Sequence, residues 1–184
     1  HIQGSLYVSR STGKFVFKLT RADYSVGSLV VLDENSITKI TEFKRSSVGE
    51  LINSVTVVYW DSDTGNDGSV TVQDIALISQ QQSVISTTKQ YPGFTNGANA
   101  VRAASTELRA LSTPLASATI YTDRTAAHLN VGDCFILSWP RYGVSQLVCR
   151  VLNVELGSLG SNIIKLTVIE DVFAQSSAVY APPP

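Results

Sequence analysis

Three aspartates stand at a spacing that suits a calcium ion. In DSDTGNDGSVTVQD, Asp61 to Asp74, the residues Asp63, Asp67, Gly68, Val70 and Asp74 occupy positions 1, 5, 6, 8 and 12 of an EF-hand-type loop, the pattern that converges several oxygens on one cation. Position 3 is Gly65, which offers no ligand, and position 12 is an aspartate, one methylene short of the usual bidentate glutamate. The preceding SVTVVYW reads as a strand where an EF-hand has its entering helix. A β-hairpin turn rich in Asp and Gly explains the same residues. No metal is therefore expected, with Asp63, Asp67 and Asp74 as the weak calcium candidates.

This stretch, running on into the apolar IALI, resembles a dockerin loop, although dockerins carry it twice and here it occurs once. Catalytic constellations are sparser still. His1 reads as vector-derived, which leaves His128, before a turn, as a surface imidazole. There is no Gly-x-Ser-x-Gly elbow, no phosphate-binding glycine loop and no His-Glu-x-x-His. The carboxylate pairs Asp33-Glu34 and Glu170-Asp171 are adjacent, so in extended chain they point to opposite faces and cannot flank one bond. Catalytic residues and cofactors are both expected to be absent.

Cys134 and Cys149 are too few for a disulfide scaffold and lack the neighbours of a zinc site. A hairpin centred on Pro140-Arg141-Tyr142-Gly143 places them opposite each other; a loop two residues longer takes them out of register. Buried, unpaired packing is the expected state. The tyrosines and tryptophans suit cores and protein interfaces, and none alternates with Arg or Lys as a base-stacking platform would require.

The chain has 184 residues, 43% of them hydrophobic and only 16% charged, with a mean hydropathy of +0.11. That charged share is below the quarter or so of a typical soluble domain, as in proteins that hide surface against partners. Fourteen basic and fifteen acidic residues give a net charge of −1, and neither sign forms a block that would follow a phosphate backbone or an anionic membrane. Nucleic acid is a poor candidate partner. No apolar run reaches the roughly 18 residues of a membrane-spanning helix. HIQGS reads as a vector scar and APPP as the start of a linker, which suggests a piece of something longer.

The elements that must position these residues are mostly strands. LYVS, KFVFKLT and SLVVL alternate between turn-rich STGK and RADYSVG, with Ser11-Thr12-Gly13-Lys14 as the first hairpin turn. ITKITEF is another strand, and Ser47-Val48-Gly49-Glu50 has the spacing of a capping box for a short helix. SVTVVYW follows, then SVTVQD, after which Asp74 to Ser79 reads equally as helix or strand. From about Asn96 to Ser112, Ala100, Val101, Ala104, Leu108 and Leu111 recur on one helical face, with Thr95 or Asn96 as cap and Pro114 just beyond. ATIYTD, GDCFILSW, SQLVCRVLNVEL and NIIKLTVIED are four further strands, and Gly132-Asp133 is a tight turn that launches the second. The expected fold is α+β, mostly β: antiparallel strands forming a small barrel or sandwich, with one long helix and one short helix. The expected segments are a β-rich part over 5–60, a loop, strand and helix region over 61–115, an antiparallel part over 116–175 and a linker-like tail over 176–184.

Several stretches in this order resemble phage tail-tip and baseplate hub proteins, including gene-transfer-agent and lambda-like tail proteins. They are LTRADYSVGSLVVLDENSITKI, SVGELINSVTVVYWD, YPGFTNGANAVRAASTELRALSTPLASATIYTDRTAAHLNVGDCFIL and RVLNVELGSLGSNIIKLTVIEDVF. The resemblance covers most of residues 14 to 173 and rests on layout and turn residues. It implies a virion structural protein of the tail tip, made in the host or bacterial cytoplasm. It further implies a homotrimer that touches the distal tail protein and the tape measure and catalyses nothing. The competing expectations are a calcium-stabilised adhesion or carbohydrate-binding module and, third, a cell-wall-degrading enzyme.

Overall fold

The computed structural model describes residues 4–10, 12–158 and 160–174. The expectations for HIQ at the start and for the tail from Gln175 onward lie outside the described residues, as does Ser11 of the first turn. Among the described residues, eleven strands and two α-helices make the fold α+β and mostly β, as expected. Among the described residues no helix is long and apolar enough to cross a membrane. The chain folds as two units, Ser46–Pro114 and residues 4–45 with 115–174, so residues 5–60 are shared between them.

In the unit Ser46–Pro114, β5 (Ser54–Asp61) is the central strand of three. It forms an antiparallel hairpin with β6 (Asn66–Gln73) and a parallel pair with β7 (Ser86–Tyr91). A parallel neighbour needs a crossover, and α1 (Ile75–Gln81) supplies it. This resolves the ambiguous stretch after Asp74 as helix. α2 (Gly97–Ser112) lays Ala100, Ala104 and Leu108 onto Val55, Val57, Tyr59 and Val72. Those three recur every four residues, and the small side chains of Ala100 and Ala104 bring the helix close to the sheet. Val101, expected on the same face, sits about 100° round the helix and is exposed. The Asn96 side chain caps the helix by accepting from Asn99 N at 3.0 Å.

The capping box at Ser47-Glu50 is a correction. Only one 3₁₀ turn forms, Val48–Glu50, and Ser47 makes no capping bond. Gly49 weakens the turn and buried Leu51 draws the chain back to extended geometry before it enters β5. The polar anchor here is fully buried Asn53. Its amide donates to Ser83 O at 2.7 Å and to Gln81 Oε1, and its Oδ1 accepts from Ile85 N at 2.8 Å.

The second unit holds eight strands: β1 (Gly4–Val8), β2 (Phe15–Leu19), β3 (Val31–Leu32), β4 (Ile37–Arg45), β8 (Ala116–Thr122), β9 (Cys134–Trp139), β10 (Val144–Glu155) and β11 (Ile164–Glu170). β1 and β2 form a separate hairpin; the other six form one sheet, in the order β3-β9-β10-β11-β8-β4, that curls into a half-barrel. Within that sheet, among the described residues, only the β3–β9 pair is parallel. Period-two alternation fills the concave face: Ile164, Leu166 and Val168 of β11 pack with Ala118 and Ile120 of β8 and with Phe135, Leu137, Cys149 and Val151. The β4 edge carries Lys39, Glu42, Lys44 and Arg45 and a register shift between Thr41 and Lys44, devices that discourage further strand pairing.

Candidate functional site

The aspartate loop does not gather its candidate ligands. β6 runs straight between Asp67 and Asp74, which places them roughly 20 Å apart at about 3.3 Å per residue. Asp63 is exposed in the turn, where its N–H donates to Asp61 Oδ1 at 3.1 Å, and Thr64 Oγ1 donates to Asp61 Oδ2 at 3.0 Å. Asp74 is the N-cap of α1, accepting from Leu77 N at 3.0 Å. Gly68, which spacing assigns to the sharp bend of a calcium loop, instead lies under the Tyr59 ring, where an added Cβ would come within 2.8 Å of Tyr59 Cζ. Residues 61–74 thus form a β-hairpin turn and strand followed by a helix cap. Among the described residues no group of three His, Cys, Asp or Glu side chains converges as a metal requires.

The two cysteines are free, Cys149 buried and Cys134 half-buried. At the turn end of their hairpin, Val144 pairs with Trp139, the register that would set Cys149 opposite Cys134. A one-residue shift between Val144 and Leu147, where Gln146 takes φ 53°, then pairs Cys149 with Phe135 and Arg150 with Cys134. A slip of one residue exchanges faces, so the thiols point to opposite sides of the sheet. Burial pushes the Cys134 thiol up to about 11 and the Cys149 thiol up to about 12, which keeps both protonated near neutrality.

The same shift builds the most distinctive polar centre of this unit. Arg150, only 5% exposed, donates from Nε to Asp171 Oδ1 at 3.0 Å, from Nη1 to Gly132 O at 2.9 Å and from Nη2 to Arg21 O at 3.0 Å. The Tyr24 hydroxyl donates to the other Asp171 oxygen. Burial, then the bond to Asp171, raises the Tyr24 phenol well above its usual range. For Arg150 burial pulls the other way, yet the Asp171 bond and charge carry it upward. One guanidinium therefore ties β10 to the end of β11, to the turn before β9 and to the loop after β2. Neighbouring Glu170 turns the other way: its Oε2 accepts from Ala116 N at 2.9 Å and from Arg45 Nη2 at 3.1 Å. The paired carboxylates thus diverge as their adjacency requires.

Above this centre is a cleft of about 290 Å³, lined in part by Lys18, Tyr24, Leu29, His128, Cys134 and Arg150. Lys18, Asp133 and Arg150 in its wall are committed to structure. Lys18 pairs with Asp133 at 2.6 Å, and Asp133 also accepts from Asn130 N at 2.7 Å. Exposed His128 has its Nδ1 2.8 Å from Thr125 O. Gly132 adopts φ 85°, the left-handed geometry of the tight turn expected at Gly132-Asp133. Sequence reasoning overlooked Arg150, although a lone arginine inside the apolar run LVCRVL requires a buried acid, and Glu170-Asp171 ends the adjoining strand.

The fold has solved counterparts. A chain from the virion of the native gene transfer agent particle superposes with a TM-score of 0.67 at 14% identity, covering 96% of this chain and 39% of that one. The tail protein from Neisseria meningitidis MC58 gives 0.63 at 12% identity, over 91% of this chain and 51% of that one. The 43 kDa tail protein of prophage MuSo2 from Shewanella oneidensis gives 0.57 at 12%, over 92% and 50%. At these identities the likeness is one of fold, and the chain spans about 39 to 51% of the length of these relatives. No curated protein matches it. The family described as "Putative phage tail protein" matches residues 1–154, most of the chain, and the chain belongs to that family.

Proposed function

We propose that this chain is a structural part of the tail tip or baseplate hub of a phage or phage-like particle, working by protein–protein assembly and without catalysis. Its partners on this reading are the distal tail protein, the tape measure and further copies of itself in a homotrimer, assembled after synthesis in the host or bacterial cytoplasm. Family membership supports a structural role in the tail. The observation that carries the assembly reading is the β1–β2 hairpin, which turns four large apolar side chains to solvent, the arrangement of a surface made to be covered. The polar groups beneath point the same way: Arg150, Asp171, Lys18 and Asp133 are committed to holding loops and strands.

The test is to label purified particles with an antibody fragment raised against this chain and image them by electron microscopy. Label at the distal end of the tail is the expected result. Label confined to the head or spread along the tube would overturn the hub assignment.

A further inference from the structure

The β1–β2 hairpin is amphipathic in the inverted sense. Its register sets Leu6 opposite Phe17 and Val8 opposite Phe15, so all four share one face. They are 66%, 54%, 51% and 79% exposed in that order. The other face, with Ser5, Tyr7, Val16 and Lys18, is half-buried and pinned by the Lys18–Asp133 pair. Arg10 adds a second tie by donating from Nη2 to Leu129 O. A two-stranded hairpin is marginal by itself, so these anchors hold it while its apolar face looks outward.

Charge narrows what covers that face. Phenylalanine carries roughly 150–250 Å², so the two rings with Leu6 and Val8 make a patch on the order of 400 Å². Two such patches meeting about a twofold axis would oppose like charge. Residues 4–22 contain Arg10, Lys14, Lys18 and Arg21 and no acid. Residues 46–88 contain Glu50, Asp61, Asp63, Asp67 and Asp74 and no base, and there Val48, Trp60, Ile75 and Val84 are exposed.

We propose that the apolar face of the β1–β2 hairpin docks, head to tail, on the acidic 46–88 stretch of a second copy of this chain, with Lys14 and Arg10 meeting its carboxylates. A head-to-tail contact joins unlike patches and can close into a ring. The inference rests on the assembly reading above and names the surfaces that reading leaves open.

Sedimentation velocity on the purified chain tests it. Self-association should appear as concentration rises and weaken with salt, because the rim contacts are charged. Phe15→Ser with Phe17→Ser, Lys14→Glu, and Asp63→Lys with Asp67→Lys should each weaken it at least about tenfold. Combining Lys14→Glu with Asp63→Lys and Asp67→Lys in one chain should restore it, since every head-to-tail contact then again joins opposite charges. A wild-type chain that stays monomeric, single-patch variants that associate unchanged, or a combined variant that fails to recover would each overturn the proposal. Those outcomes leave the tail-end location, read by imaging, untouched.

Discussion

Cys134 lies opposite Arg150 across the β9–β10 ladder, one residue out of step with the Val144–Trp139 pair that closes the same hairpin. That shift decides two properties at once: which groups oxidise together and which charge is buried.

The thiols are predicted not to pair. Mild oxidation of the native chain followed by non-reducing peptide mapping should recover Cys134 and Cys149 unlinked. Alkylation of native Cys134 should stay slow at neutral pH and accelerate only as pH approaches about 11, where burial has moved its titration.

Removing one partner of the Arg150–Asp171 pair should be far more damaging than removing both. Asp171→Ala leaves a guanidinium stranded in the interior and should cost about 3–5 kcal/mol in urea unfolding. Replacing both with apolar residues of similar size should cost less than that single change, because no charge is left buried without its partner.

Stability should decline on the alkaline side. Cys134, Cys149, Tyr91 and Tyr24 all have folded-state titrations raised above their usual values of 9 or 10. For Tyr91, burial and then Glu107 push it up to about 12. A group raised on folding stabilises fully below its unfolded pKa, and that contribution is lost as pH climbs through the folded one. Thermal midpoints should therefore fall progressively from about pH 9 upward. Tyr24→Phe should flatten the part of the decline above about pH 10.

Calcium should not act through the aspartate loop. Millimolar calcium, enough to fill an extracellular-type site, is predicted to leave the melting temperature unchanged, and Asp63→Asn or Asp67→Asn to move it little. Gly68→Ala, by contrast, should destabilise by about 1–3 kcal/mol, because its methyl has no room beneath Tyr59.

Much of this fold was legible where period and packing agree. The 3.6-residue spacing of Ala100, Ala104 and Leu108 marks α2, and the alternation in KLTVIE marks β11. The stretch after Asp74 was ambiguous because its short apolar run suits either geometry; the parallel β5–β7 crossover decides it. The aspartates match a ligand spacing that takes no account of the β6 strand that holds them apart. Arg150 escaped notice because its role depends on a bulge at Gln146, which local propensity does not reveal. The opposite charges of residues 4–22 and 46–88 were present in the sequence but cancel in a net charge of −1.

The measurement closest to the central claim is a side-chain-resolution reconstruction of the assembled tail. Density for this chain is expected at the distal end, with Phe15 and Phe17 buried against a neighbouring subunit. Both rings facing solvent in the completed particle would contradict it.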